Sequence, residues 1–324
     1  MAKSKRLKIA FLLSPLERFD PDGDTSFSIM TECQNRNHPL YALESRDLLL
    51  LDGRLHGRLR RCRTDEKALR TEAPILTNLE SLDCVFVRKE PPFDLDYLAC
   101  TQLLDFLKGK VRVVNDPAGI RAVGEKIGAL HATKLTPPSF AAYDEANVRE
   151  GMKRLGLEDA VLKRIDQKGG EGVLRSSPSD PRLKDKVREL TGDSRVPIVV
   201  QKFVRHEKTG DKRILILNGK LLGAFTRIPG PSDFRANMSC GGKAARTKLT
   251  AKDLRIVREL RPFLLKNGLF FAGVDVLDGR LSEINVTSPA GIPEINELEG
   301  TRLERDVVDF LERITRKSSD RSRS

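Results

Sequence analysis

Three pairs of strand-like segments, each closed by a glycine-containing turn, constrain the second half of this 324-residue chain more than any other feature. They are "AVLKRI" with "GVLRS", "RILIL" with "KLLGAFTRI", and "FFAGVDVL" with "RLSEINV". Such pairs predict antiparallel sheet. The first third reads differently. "KIAFLLSP" is an apolar strand, and "TSFSIMTECQNRNH" is a helix with Phe27, Met30 and Cys33 on one side. "PLYALESRDLLLLDGRLHGRLRRC" is a strand and then a hairpin around Asp52-Gly53, and "LDCVFVRKEPPFD" is a buried strand running into a proline-marked loop. "DYLACTQLLDFLKGK" is a helix and "VRVVND" another strand. Strands alternating with helices predict an open parallel sheet, whose ligands gather beyond the carboxyl ends of the strands. Arg88 and Asn115 fall there.

Asp116-Pro117 marks a break, followed by a helix in "RAVGEKIGALHATK" and a rigid turn in "LTPPSF". A last helix, "RLERDVVDFLERITR", sets Val307, Phe310, Leu311 and Ile314 at helical spacing. The expected fold class is α/β and α+β: an N-terminal open parallel-sheet domain over 1–121, then an antiparallel-sheet domain over 122–316. The polar, basic tail, 317–324, is expected to be disordered.

Composition narrows the function classes. The formal net charge is +12, which favours anionic partners. The basic run "GRLHGRLRRCR" raises nucleic acid as one of them, but aromatic content is only 5% and no recognised nucleic-acid module is present, so none is expected. The five cysteines contain no C-x-x-C, which argues against a disulfide framework or a zinc site and for a reducing compartment. The apolar stretch after the basic N-terminus is too short for a signal peptide, and no run is long enough to span a bilayer. The expectation is a cytoplasmic protein with no membrane partner.

"VLKRIDQKGGEGVLRS" places a glycine loop between two strands. Exposed backbone N–H groups in such a loop can cradle phosphates. The spacing is not that of a P-loop, and the loop leads into a strand, so the phosphates would lie under a hairpin flap. Lys163 sits between Val161 and Ile165 in strand alternation. Read alone, the segment is equally an ordinary hairpin with a flexible tip.

"VDVLDGRLSEINV" turns at Asp278-Gly279. A two-residue loop would set Asp275 opposite Ser282; a three-residue loop would set it opposite Glu283, with Asn285 on the same face. Facing carboxylates repel unless a cation intervenes. Oxygen ligands of this kind suit Mg²⁺. The odd loop is the expectation. Four arginines, Arg88, Arg213, Arg227 and Arg235, stand at strand ends or in loops, where a guanidinium can fork onto carboxylate or phosphate. A strict two-residue turn at Asn218-Gly219 would separate Arg213 from Arg227, and a bulge at Gly223 would bring them back to one face.

The segments "DTSFSIMTECQNRNH", "VRKEPPFD", "VVNDP", "EKIGAL", "LTPP", "VLKRIDQKGGEG", "GDKRILILNGK", "RIPGPSDFRANMSCGG", "GLFFAGVDV" and "LSEINVTSPAGI" together resemble bacterial glutathione synthetase, of the ATP-grasp superfamily. The likeness runs in the same order from about residue 8 to 300. It implies an N-terminal α/β domain, a mobile lid (about 122–200) and a C-terminal ATP-grasp part (about 201–316). It also implies the joining of γ-glutamylcysteine and glycine with ATP, through an acyl phosphate, to give glutathione, ADP and phosphate.

By the same likeness, Lys126 and Lys163 hold nucleotide phosphates, with Asp166, Gly169 and Gly170 in the flap. Gln201, Lys202, Phe203 and Val204 hold adenine, and Asp211 holds ribose. Asp275, Glu283 and Asn285 ligate two Mg²⁺ ions, with Mn²⁺ as a substitute. Arg88, Arg213, Arg227, Arg235, Asn237, Ser288, Pro289, Ala290 and Gly291 hold the dipeptide, and Arg213, Arg227 and Arg235 act in catalysis. The family implies a homo-oligomer. Gln167, Ala236, Cys240 and Pro293 depart from its pattern, and the last bears on substrate identity, so a different ATP-grasp peptide ligase is the competing reading.

Overall fold

The computed structural model describes residues 6–321 apart from 17–18, 20, 67, 206–209 and 231–232. Its first strand, β1 (Ile9–Leu13), is buried at every position, as befits the centre of a sheet covered on both faces. The chain continues through α1 (Thr25–Asn35), β2 (Leu40–Leu43), β3 (Leu48–Leu51), β4 (Arg54–Asp65), β5 (Ala68–Thr71), β6 (Ile75–Asn78), β7 (Cys84–Arg88), α2 (Leu95–Leu104) and β8 (Arg112–Val114). Strands β2, β1, β7 and β8 pair in parallel, as expected of alternating strands and helices. The basic run is the long β4, whose antiparallel partners are β2, β3, β5 and β6.

After α3 (Pro117–Val123) and α4 (Glu125–Leu130) comes a four-stranded antiparallel sheet: β9 (Ser139–Ala142), α5 (Glu145–Arg154), β10 (Ala160–Arg164), β11 (Val173–Ser176), α6 (Leu183–Thr191) and β12 (Ile198–Lys202), in strand order β11-β10-β12-β9. Val148, Met152, Val187 and Leu190 of its two helices pack with Leu162, Ile198 and Val200 in a core of their own.

The third sheet is formed by β13 (Asp211–Leu217), β14 (Lys220–Ile228), β15 (Lys243–Ala245), β16 (Phe271–Leu277) and β17 (Arg280–Asn285). Helix α7 (Ala251–Lys266) comes before β16, and α8 (Ile292–Glu299) and α9 (Leu303–Arg321) close the chain. Strand order is β15-β14-β13-β16-β17, antiparallel throughout. Two apolar clusters run without interruption from the first sheet to the third. One joins Val85 and Tyr97 to Val274 and Leu260, and the other joins Phe11 and Ile29 to Phe271 and Leu311. The first and third sheets are thus one packed body, while the middle sheet stands on its own core.

Asn115 lies at this junction. Its amide donates to the carbonyls of Phe271 (2.7 Å) and Val286 (2.8 Å) and accepts from Phe271 N (2.9 Å). Its position at a strand's carboxyl end serves the seam between sheets instead of a ligand. Helix α9 continues to Arg321, so residues 317–321 of the tail expected to be disordered are helical instead. Residues 322–324 of that tail lie outside the described residues.

Candidate active site

Each central hairpin of the third sheet carries one extra residue, and those two insertions build the site. The turn at Asp278-Gly279 has two residues, not three: Leu277 pairs with Arg280, and both turn residues have positive φ (47° and 70°). That alone would face Asp275 with Ser282. A bulge resets the register, so that Val276 pairs with Leu281 but Asp275 with Glu283. The expected facing of the two carboxylates holds; the expected odd loop does not. Strands β13 and β14 repeat the device. Their turn at Asn218-Gly219 is also two residues long, and a bulge at Leu222, one residue before Gly223, returns Arg227 to the face of Arg213.

Asp275 receives both arginines. Arg213 Nε and Nη2 donate to it at 2.6 and 3.2 Å, and Arg227 Nη2 lies 2.9 Å away. Arg227 also reaches Asp211 at 2.5 Å, and Arg213 Nη1 donates to the Ala290 carbonyl at 3.1 Å. Asp275 and Arg227 are 5% and 4% exposed. Burial opposes ionisation of Asp275, but the charges of Arg213 and Arg227 and their hydrogen bonds outweigh it and hold the carboxyl well below the usual carboxylate range. Two cations and two carboxylates balance here.

Lys163 differs. Its Nζ is buried against neutral groups, Gln201 Oε1 at 2.8 Å and Ser282 Oγ at 2.9 Å. Among the described residues it forms no ion pair. Burial, opposed by the charge of Glu283, sets its pKa below the ordinary lysine value. A buried ammonium without a carboxylate contact marks a place for an anion. Lys126 lies nearby, 3.4 Å from Glu283 and bonded to the carbonyl of Gln167. Next to it Glu125, unremarked in the sequence, is buried and accepts from Val286 N, Thr287 N and Thr287 Oγ1. Burial, reinforced by Glu283, raises its pKa.

The glycine loop between β10 and β11 covers this region. Gly169, Gly170 and Gly172 have φ of 64°, 84° and 61°. A Cβ at Gly170 would also lie 2.9 Å from Asn237 Oδ1. The Gly169 carbonyl accepts from Ser239 Oγ (2.9 Å) and Cys240 Sγ (3.3 Å), and that of Gly170 accepts from Arg235 Nη1 (2.9 Å). On the other side Asp166 O accepts from Phe93 N (3.1 Å), and Lys168 pairs with Glu90. The flap is therefore fastened to both flanking loops.

A cavity of about 420 Å³ lies under it. Of the residues expected at the site, Lys126, Lys163, Gly169, Gly170, Gln201, Lys202, Phe203, Val204, Asp211, Arg213, Arg227, Arg235, Asn237, Asp275, Glu283, Asn285, Ser288 and Ala290 line it. Lys202 and Phe203 spend their N–H groups on Pro138 O and Asp159 O, inside the sheet and not toward a base. Four expected residues are not among the lining. Arg88 is buried, donates from Nε to Ser26 Oγ and rests on the rings of Phe86 and Phe271. Asp166 pairs with Arg164 at 2.7 Å, the Gly291 N–H goes to Thr25 Oγ1, and Pro289 packs beside Gly273. The sequence reading missed Glu125, Ser282, Thr287 and Glu294, all of which line the cavity. Ser282 could have been found only by anticipating the bulge.

A flap-covered cavity between two antiparallel sheets, with a buried lysine facing an acidic ribbon, defines an ATP-grasp ligase. Solved structures agree on the fold. D-cycloserine synthetase DcsG superposes with a TM-score of 0.68 at 13% identity, covering 94% of this chain and all of that one. The D-alanyl-alanine synthetase A of Vibrio cholerae gives 0.58 at 13%, covering 96% and 99%. The model for the prokaryotic glutathione synthetase N-terminal domain matches residues 7–121, and that for the family's ATP-grasp domain matches 125–300.

Glutathione synthetase of a Synechocystis strain is 36% identical over 95% of this chain and 99% of its own length, and that of Mesorhizobium japonicum is 33% identical over 95% and 98%. The chain belongs to the prokaryotic glutathione synthetase family. It is an ATP-dependent carbon–nitrogen ligase that joins γ-glutamylcysteine to glycine, and in general terms it uses ATP with a divalent metal. Among the described residues no helix is long and apolar enough to cross a membrane.

Proposed function

We propose that the cavity under the flap holds ATP and the dipeptide together, and that the reaction passes through an acyl phosphate. The observation that carries this reading is the shared cavity of Lys163, Glu283 and the Asp275–Arg213–Arg227 cluster. Lys126, Lys163 and the N–H groups around Gly169 and Gly170 bind the phosphates. Gln201 to Val204 and Asp211 border the nucleoside. The dipeptide's terminal carboxylate attacks the γ-phosphate and ADP leaves. The glycine amine then attacks the acyl carbon, loses a proton and expels phosphate. Arg213 and Arg227, fixed by Asp275, stabilise the charge that develops on the carbonyl oxygen. Arg235 draws the flap shut, which keeps water from the acyl phosphate.

Among the described residues no three His, Cys, Asp or Glu side chains gather as a metal site. The donor set assigned to a cation adds an amide: Asp275, Glu283 and Asn285. All are oxygen donors, which fits Mg²⁺, as two ions or with Mn²⁺ in its place. When bound, such a cation neutralises phosphate oxygens during transfer.

We further assign residues 1–121 and 122–316 as the two domains, with 122–200 as a lid; the separate core of the middle sheet supports the lid over 140–200, while Val123, Ala129 and Leu135 pack into the core that the first and third sheets share. A homo-oligomer is supported by exposed Leu49 and Leu51 on β3 and Ile75 and Leu76 on β6, the strands on either side of β4. Five free cysteines support a cytoplasmic setting. ADP release tests the site: with dipeptide, glycine and Mg²⁺, the wild type turns over, and Lys163→Met raises the KM for ATP by an order of magnitude or more. An unchanged KM would remove Lys163 from the nucleotide site.

A further inference from the structure

Helix α8 begins beside the cavity in an unusual way. Its N-cap, Gly291, has no side chain, a φ of 133°, and a position where a Cβ would meet the Phe225 ring at 2.7 Å. The first free N–H groups, those of Gly291 and Ile292, donate instead to Thr25 Oγ1 on α1, at 3.1 and 3.2 Å. The next residue, Pro293, has no N–H. A glutamate at the third helical position ordinarily reaches back to the N-cap N–H. For Glu294 that role is already taken.

Its carboxylate is thus left over. It interacts with its own backbone N–H, and Oε2 is buried without a hydrogen-bond partner among the described residues. It lines the same cavity as Arg213 and Arg227. Those guanidiniums are committed to Asp275 and Asp211, and the four charges balance. The remaining charge nearby is negative, from Asp24, the N-cap of α1. A half-buried carboxylate with one oxygen shut off from solvent and from any partner among the described residues is costly until a cation joins it.

We infer that Glu294 binds the α-ammonium of the γ-glutamyl group. This rests on the reading of the cavity as the substrate site. Two substrate amines could supply the cation. The glycine amine must give up its proton to attack, so a counter-ion that stabilises it as ammonium would oppose the reaction. The γ-glutamyl ammonium stays charged throughout. Glu294 is therefore a binding residue that sets specificity for a donor carrying that amine. Burial raises the carboxyl's pKa, against the pull of the two arginines, and a bound ammonium holds it ionised.

The test is steady-state kinetics of Glu294→Gln and Glu294→Asp with each substrate varied, and with glutarylcysteine, the donor lacking only the α-amino group. For Glu294→Gln the KM for γ-glutamylcysteine rises about 10- to 100-fold, those for ATP and glycine stay within about twofold, and the preference for the dipeptide over glutarylcysteine narrows by the same factor. Glu294→Asp recovers part of the loss. A rise in the glycine KM instead, or an equal loss with both donors, overturns the assignment. Should neither variant fold, the wild type decides alone: equal kcat/KM for the two donors overturns it, and a preference for the dipeptide of tenfold or more upholds it. Lys163→Met in the same assay reports on the cavity reading separately, through the KM for ATP.

Discussion

Lys163 Nζ lies 2.9 Å from the hydroxyl of Ser282, the residue that the β17 bulge adds. One inserted residue therefore does two things: it brings Glu283 opposite Asp275, and it supplies a neutral partner for the buried lysine. The lysine keeps its charge available to an anion because its second contact, Gln201, is neutral as well. Ser282→Ala removes one hydrogen bond and leaves the charge. We expect a rise of about 3- to 10-fold in the KM for ATP, smaller than for Lys163→Met, with folding intact. Ser282→Asp would give Lys163 a carboxylate partner and should weaken ATP binding more than the alanine does. Nucleotide titration of the three variants orders them; an aspartate variant that binds as well as wild type would contradict the role given to the free charge.

The flap makes a second prediction. Gly170 combines a φ of 84° with close approach to Asn237. A methyl group there strains the backbone and pushes the flap away from its latch. Gly170→Ala should lower kcat about tenfold or more. It should also uncouple the reaction, with ADP released in excess of glutathione as water reaches the acyl phosphate. The ratio of ADP to glutathione checks this. A ratio of one at reduced kcat would assign the flap to binding alone.

Stability is set partly away from the site. Asp253 caps α7 in a reciprocal box with Thr250 and receives Lys212 at 2.7 Å, and it is wholly buried. Burial opposes its ionisation, yet Lys212 and Thr250 hold its pKa below the ordinary value of 3.8. The folded pKa is the lower one. The stabilisation is therefore present above the unfolded value and is lost as pH falls from about 4 through the folded pKa. Asp253→Ala should cost about 2–4 kcal/mol at neutral pH, and the gap from wild type should shrink in acid below about pH 4. Denaturant unfolding at pH 7 and pH 3 measures both.

Much of this was legible in the residues. The three hairpins, the parallel strands and the turns at Asp52-Gly53, Asn218-Gly219 and Asp278-Gly279 follow from local chemistry, because Asn-Gly and Asp-Gly pairs accept positive φ. Sheet register was harder. A bulge is selected by packing from both sides of a strand, so the sequence alone points to a longer turn behind the odd offset at Asp275, whereas the extra residue is Ser282. Asn115 shows the same limit. Its place at a strand end spoke for a ligand, and only the packing of the first sheet on the third showed that its amide is spent there. Glu294 gave no signal, because what makes it stand out is that Thr25, 269 residues earlier, has taken its usual partner.

The ribbon of Asp275 and Glu283 is proposed to hold a cation against the nucleotide phosphates beside Lys163. Calorimetric titration of a non-hydrolysable ATP analogue, with and without Mg²⁺, into the wild type and Glu283→Gln tests it most directly. In the wild type Mg²⁺ should strengthen binding at least tenfold, and in Glu283→Gln most of that gain should vanish while metal-free binding changes little. An undiminished Mg²⁺ gain in the variant would contradict the account.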